Sequence, residues 1–335
     1  MVKNEKILIF GPSWVGDMVM AHSLFLNLKK RNPNCEVHLA APRWSMDIGS
    51  RFPEIDKLIP LEFNHGKFDF FKRLSLSFKL RQESYDECIF LINTFKSLLN
   101  ITFSNIPLRT GYVGELRSFF LNNVLKNNSD PTIRKFTKLS KNNSYPSPKL
   151  INPKIVSNKK NGKNFLKKNR IPIENLVIIS GGAEYGPAKI LPSEKYAYIA
   201  NNLIKENFNI LLIGSANDKT VNHEINKLTK YRCFDITGKT SLGECIDIIA
   251  CAQYFLSNDS GLMHIAAALN IPQDSFFGSS DPNNTPPLNS EAVINYLNLD
   301  CSPCFERRCP LKHFDCMNKI DEKEISKRIT CLLNK

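Results

Sequence analysis

Apolar residues fall along this chain in short, dense runs separated by longer stretches where they recur every three or four positions. Ile7-Leu8-Ile9-Phe10 is such a run, and four consecutive apolar residues bounded by polar ones predict a strand buried on both faces. Residues 21–30 then read as a helix, and Lys29-Lys30-Arg31 closes it with the positive charge that suits a helix C-terminus. The same alternation predicts strands at 6–10, 35–40, 87–92 and 105–111, with a helix at 68–82 ahead of the third. A second series predicts strands at 176–180, 210–214, 233–235, 254–257 and 275–277. Helices at 193–206, 219–229, 242–250 and 261–269 lie between them. Strands separated by helices pair in parallel, so each series predicts an α/β, doubly wound sheet. Between the two, residues 122–164 are rich in Asn, Lys, Ser and Pro and lose periodicity, which predicts a mobile loop and then a linker. The expected domains are therefore 1–165 and 166–335, two Rossmann-like units with a cleft between them. No internal sequence repeat is evident.

The length of 335 residues agrees with two domains, since a single core rarely grows that large. A hydrophobic fraction of 42% and a charged fraction of 23% are those of a globular chain. No apolar run approaches the ~18 residues that span a bilayer. The apolar stretch at residues 7–10 is too short for a signal-peptide core, so a cytoplasmic location is expected. The formal charge of +13 has two readings: a polyanionic partner, or lysine enrichment spread through dull segments such as 158–169. No basic-aromatic motif of a nucleic-acid module occurs, so nucleic acid is not an expected partner.

Candidate chemistry gathers where predicted strands end. Gly11-Pro12-Ser13-Trp14-Val15-Gly16-Asp17 joins the first strand to its helix, and ligands of open α/β sheets bind beyond the carboxyl ends of strands. It is neither a dinucleotide fingerprint nor a Walker loop. Asp17 is either an N-cap or a general base. Gly181-Gly182-Ala183-Glu184-Tyr185-Gly186-Pro187-Ala188-Lys189 suits phosphate, with backbone able to approach it and a closing cation, or is a surface loop. Ser257-Asn258-Asp259-Ser260-Gly261-Leu262-Met263-His264 opens a helix whose free N–H groups favour an anion, or is a cap alone. His264 falls one turn into that helix and reads as packing. Of ten cysteines, Cys301, Cys304, Cys309 and Cys316 are clustered in sequence, either as a tetrahedral metal site or as free thiols on a loop rich in Pro and Arg.

Together these motifs resemble glycosyltransferase family 9. The resemblance rests on the Asp17 segment, residues 182–189 and residues 258–264. Asn93-Thr94-Phe95-Lys96-Ser97, Arg109-Thr110-Gly111-Tyr112, Gly114-Glu115-Leu116-Arg117 and Thr285-Pro286-Pro287 follow in the family's order. It extends from about Ile7 to Met317 and implies a GT-B architecture. It also implies inverting transfer of heptose from ADP-L-glycero-β-D-manno-heptose to the first heptose of the lipopolysaccharide inner core, without metal or other cofactor. By the same resemblance Asp17 matches the catalytic base. Glu184, Lys189, Asp259, Ser260, Gly261, Leu262, His264 and Thr285 match the donor side. Ser13, Trp14, Lys96, Arg109 and Arg117 fall on the acceptor side, for a heptosyl-Kdo2-lipid A type acceptor at the inner face of the inner membrane. Other readings are a family 9 enzyme acting at another core position, a sugar-nucleotide binder without turnover, and a basic nucleic-acid binder.

Two departures from the family pattern stand out. Ile190 and Leu191 follow Lys189 where the family has Arg-Trp, so a cation and an aromatic ring are missing. Gln273-Asp274 opens a normally apolar strand, which predicts that the strand starts later, at Ser275, or that the fold has lost stability.

Overall fold

The computed structural model describes residues 4–63, 69–114, 117–142 and 144–334. The chain folds as two compact units, Met1–Val156 and Ser157–Lys335.

In the first unit the elements are β1 (Lys6–Phe10), α1 (Val15–Arg31), β2 (Glu36–Pro42), α2 (Met46–Gly49), β3 (Lys57–Leu61), α3 (Phe70–Gln82), β4 (Glu87–Phe90), α4 (Phe95–Leu98), β5 (Leu108–Tyr112), β6 (Asn123–Leu125) and α5 (Thr132–Lys138). The strands form one parallel sheet in the order β3-β2-β1-β4-β5-β6. Its central strands are the apolar runs of the sequence, and Phe10 stacks on Phe90 across β1 and β4 at 5.1 Å between ring centroids. The chain reverses its direction of travel across the sheet between β1 and β4, so the crevice for a ligand opens beyond their C-terminal ends.

The second unit holds α6 (Lys159–Lys168), β7 (Leu176–Ser180), α7 (Ser193–Lys205), β8 (Asn209–Leu212), α8 (Lys219–Leu228), β9 (Phe234–Asp235), α9 (Leu242–Ile249), β10 (Tyr254–Asn258), α10 (Gly261–Ala268), β11 (Gln273–Phe277), β12 (Ala292–Tyr296), α11 (Asp315–Asn318) and α12 (Glu322–Leu333). Its parallel sheet runs β12-β11-β10-β7-β8-β9. Numbered from its own first strand this is the same order as in the first unit, with the switch between β7 and β10. The repeat that the sequence hides is therefore one of topology. The core gathers Val177, Ile179, Leu191, Tyr196, Leu212, Leu256, Phe276 and Ile329, all with essentially no exposure.

Three expectations are corrected. Residues 122–164 are no mobile loop: β6 and α5 lie within them and α6 begins there. The stretch before Val156 is laced to the polar side of α1. Asn27 donates to Lys149 O (2.9 Å) and accepts from Lys149 N (3.1 Å), Ser23 Oγ accepts from Ile151 N, and His22 Nδ1 accepts from Lys154 N. The boundary falls before α6, which packs on α9, with Asn158 N donating to Asp247 Oδ1 at 2.7 Å. Lastly, β11 does begin at Gln273. Asp274 is wholly buried yet fully paired: it accepts from Tyr254 Oη (2.7 Å), Asn295 Nδ2 (2.7 Å) and the Arg328 guanidinium. A buried carboxylate with a charge partner and two further donors keeps its lone pairs satisfied.

Candidate active site

In the second unit three loops meet at the switch point. The loop after β7 carries Lys189, the turn after β10 carries Asp259, and the turn after β11 carries Ser280. Lys189 Nζ lies 2.5 Å from Asp259 Oδ2, and Ser280 Oγ donates to the same oxygen at 2.6 Å. Asp259 is 5% exposed. It sits just before Ser260, which takes the extended N-cap conformation of α10 without a side-chain cap bond. The Ser260 hydroxyl, like that of Ser279, is buried with no hydrogen-bond partner among the described residues. Gly261 and Leu262 open the helix, and their free N–H groups give this end positive character. His264 is buried one turn in. Desolvation pushes its pKa down to about 4, the Asp259 carboxylate opposing and Lys189 assisting, so it is neutral at pH 7.

Asn258, the last residue of β10, fixes the loop that carries Lys189. It donates from Nδ2 to Gly181 O (2.7 Å), and its Oδ1 accepts from Leu191 N (2.9 Å) and Tyr196 Oη (3.0 Å). Gly182 is required for packing: a Cβ there would stand 1.8 Å from Asp218 Oδ1. Its small size thus lets the loop pass Asp218, a different task from the close approach to phosphate that the sequence suggests. Glu184 is exposed and accepts from Asn217 Nδ2 at 3.0 Å. Thr285 is half-buried in the loop after β11. Asn258 and Ser280 acquire roles that the sequence left unassigned; the one available signal is a polar residue ending an apolar strand.

The cysteine-rich segment docks on these same loops. Phe305 N donates to Ser279 O (2.7 Å), Ser302 Oγ to Gly278 O (2.5 Å), Tyr185 Oη to Phe305 O (2.6 Å) and Ala188 N to Arg307 O (3.1 Å). Burial raises the Cys316 thiol, and the neighbouring Cys301, Cys304 and Cys309 raise it further. Among the described residues no group of three or more His, Cys, Asp or Glu side chains is arranged to hold an ion.

In the first unit Asp17 lies in the first turn of α1, half-buried, while Trp14 occupies the N-cap position. Asp17 is thus not the N-cap residue itself but an acid of the helix's first turn. Both tryptophans of the chain are half-exposed at the C-terminal ends of β1 and β2, and Trp44 Nε1 donates to Ser13 O at 3.1 Å. Trp44 was not among the expected residues. Lys96 is half-buried on α4, and its carbonyl accepts from Arg73 Nη1. Arg109 donates from Nε to Phe120 O (2.6 Å) and from Nη1 to Ile106 O (2.7 Å). Arg117 has no exposure at all; it donates to Asn93 Oδ1 (2.9 Å) and Tyr112 O (3.1 Å) and lies over the Phe90 ring. These bonds from Arg109 Nε and Nη1 and from Arg117 Nη1 stay inside the unit, where they tie the end of β4 and β5 to the 117–121 turn. Glu115 and Leu116 lie outside the described residues.

Comparison with known proteins agrees with this architecture. A model of glycosyltransferase family 9 (heptosyltransferase) matches residues 73–315. The chain is 37% identical over 306 residues to lipopolysaccharide heptosyltransferase 2 of Salmonella typhimurium, covering 86% of this chain and 87% of that protein. It is 38% identical over 303 residues to lipooligosaccharide heptosyltransferase 2 of Haemophilus influenzae, covering 86% and 87%. The structure of E. coli ADP-heptose lps heptosyltransferase II superposes with a TM-score of 0.85 at 31% identity, covering 98% of both chains. The two six-stranded parallel sheets are those of the GT-B fold, and the chain belongs to glycosyltransferase family 9, the heptosyltransferases.

Proposed function

We propose that this enzyme transfers heptose from ADP-L-glycero-β-D-manno-heptose to the first heptose of the lipopolysaccharide inner core, with inversion and without a metal. The observation that carries the reading is the group formed by Lys189, Asp259, Ser280 and the N-terminus of α10 at the switch point of the second sheet. A cation beside free helix-end N–H groups suits a diphosphate whose negative charge grows as it departs. The acceptor hydroxyl attacks the anomeric carbon as the bond to the diphosphate breaks. Asp17 takes the hydroxyl proton, and ADP leaves with the bonding electrons. Charge on the leaving group is met by Lys189 and the amides of residues 261–262, which supports a route needing no divalent ion. Ser13, Trp14 and Trp44 serve the acceptor, since half-exposed indoles at strand ends offer faces for sugar rings.

The same reading places the enzyme on the cytoplasmic face of the inner membrane. Among the described residues no helix is long and apolar enough to cross a membrane. Contact falls instead to α3, whose outer side carries Phe71 and Phe78 beside Lys72 and Lys79.

The test is incubation with ADP-heptose and a monoheptosylated core acceptor, read as ADP release and a mass gain of one heptose. Asp17→Asn should lower turnover at least roughly a hundredfold, as removal of a general base does, with ADP affinity little changed. Absence of heptose transfer by the parent overturns the reading. Near-normal turnover in Asp17→Asn removes Asp17 as the base.

A further inference from the structure

Lys189 is not an unshared positive charge. Asp259 already neutralises it at 2.5 Å, and the family's adjoining arginine is replaced by Ile190. Leu191, the next residue, is buried in the core and offers nothing to a ligand. Lys189 thus meets a diphosphate with its charge partly shared, and a second cation would strengthen the site. The cysteine-rich segment brings one. Its main chain is fixed to the donor loop by the bond from Ala188 N to Arg307 O, and Gly186 makes that approach feasible: a Cβ there would stand 2.5 Å from Arg307 O. The Arg307 guanidinium lies 5.2 Å from the Tyr185 ring centroid, and Lys189 Nζ lies 5.0 Å from the same centroid. One tyrosine thus gathers two cations, of which Lys189 pairs with Asp259. Among the described residues Arg307 has no carboxylate partner, and its side chain is exposed.

We propose that Arg307 is a donor-binding residue, the second cation for the nucleoside diphosphate, delivered by the cysteine-rich segment in place of the arginine missing at Ile190. The proposal rests on the reading of the Lys189 loop as the donor site. Arginine suits the task because its planar fork can hold two phosphate oxygens, whereas lysine acts as a point charge. The segment holding Cys301, Cys304 and Cys309 then has a use that needs no metal: it anchors Arg307 over the tyrosine.

Calorimetric titration of the full chain with ADP, and with adenosine as a competitor, tests this in the parent, Arg307→Met, Arg307→Lys and Lys189→Ala. Arg307→Met keeps most of the stacked length but removes the charge. ADP affinity should fall about tenfold or more, the range of one charge-assisted bond, while adenosine affinity holds. Arg307→Lys should recover part of the loss. If Arg307→Met binds ADP as the parent does while Lys189→Ala binds weakly, Arg307 is not a donor ligand, though the donor site stands. If ADP and adenosine weaken equally, Arg307 only props the loop and the proposal fails. If the parent does not bind ADP, the donor-site reading falls and takes this one with it.

Discussion

At the scale of single residues, side chains were legible by type and illegible by partner. Lys189 and Asp259 both belong to recognisable motifs, but nothing in the sequence says that residues so far apart share an ion pair, or that Ser280 completes it. Arg109 and Arg117 show the same limit. An arginine within a motif reads as a phosphate ligand, yet these donate to carbonyl and amide oxygens of their own unit. Arg117→Ala should therefore act on stability. It leaves Asn93 Oδ1 and Tyr112 O without this donor and opens space under Phe90. A loss of about 2–4 kcal/mol is expected, in the range for breaking a buried charged network. Urea unfolding at neutral pH measures it. An unchanged midpoint with a raised acceptor Michaelis constant would return Arg117 to the acceptor side.

At the scale of elements, the interior strands were readable because strands buried on both faces are continuous apolar runs, as in Ile7 to Phe10 and Leu176 to Ile179. What escaped lies at sheet edges. β3, β6 and β12 are end strands in their sheets, only partly buried, and β3 contains Pro60, which an edge tolerates and an interior strand does not. Their apolar runs are only two or three residues long, too short to stand out. β11 is the opposite case, a buried strand whose polar start argued against it. Its Gln273 and Asp274 are accommodated because Tyr254, Asn295 and Arg328 come from three other elements or turns to meet the carboxylate, an arrangement no local window contains. This network makes a sharp prediction. Asp274→Ala leaves Tyr254 Oη and Asn295 Nδ2 without their acceptor, while the part-exposed Arg328 turns to water, and should cost about 1–3 kcal/mol. Tyr254→Phe should cost about 1 kcal/mol. Thermal unfolding of both variants checks the order; equal midpoints would mean that the network contributes no net stability.

At the scale of the molecule, the two units share one strand order, and in each the motif residues stand at strand ends near the switch point. Fold class was legible for this reason: alternation of strands and helices suffices to specify it. Net charge was not interpretable from the sequence, since +13 spread along a chain names no surface. One candidate surface is α3, consistent with the membrane contact proposed above. This helix, Phe70–Gln82, contains no acidic residue. It also turns the usual pattern outward: Arg73 and Ser77 are buried, while Phe71 is 83% and Phe78 53% exposed, with Lys72 and Lys79 on the same side. Phe78 stacks on the half-exposed Phe103 at 5.0 Å, so the apolar surface extends beyond the helix. Aromatic rings with flanking lysines fit the headgroup level of an anionic bilayer, where each lysine contributes about 1 kcal/mol. The protein should therefore co-sediment with vesicles rich in anionic phospholipid and much less with zwitterionic ones. Phe71→Ser with Phe78→Ser, and separately Lys72→Ala with Lys79→Ala, should each lower partitioning about tenfold or more. Added salt should weaken the parent but hardly alter the lysine variant, because screening acts only on the charge it lacks. Turnover on a soluble truncated acceptor should stay at the parent level in all of them if the role of α3 is membrane contact and not chemistry. Equal partitioning of parent and variants would leave the exposed phenylalanines without a membrane role.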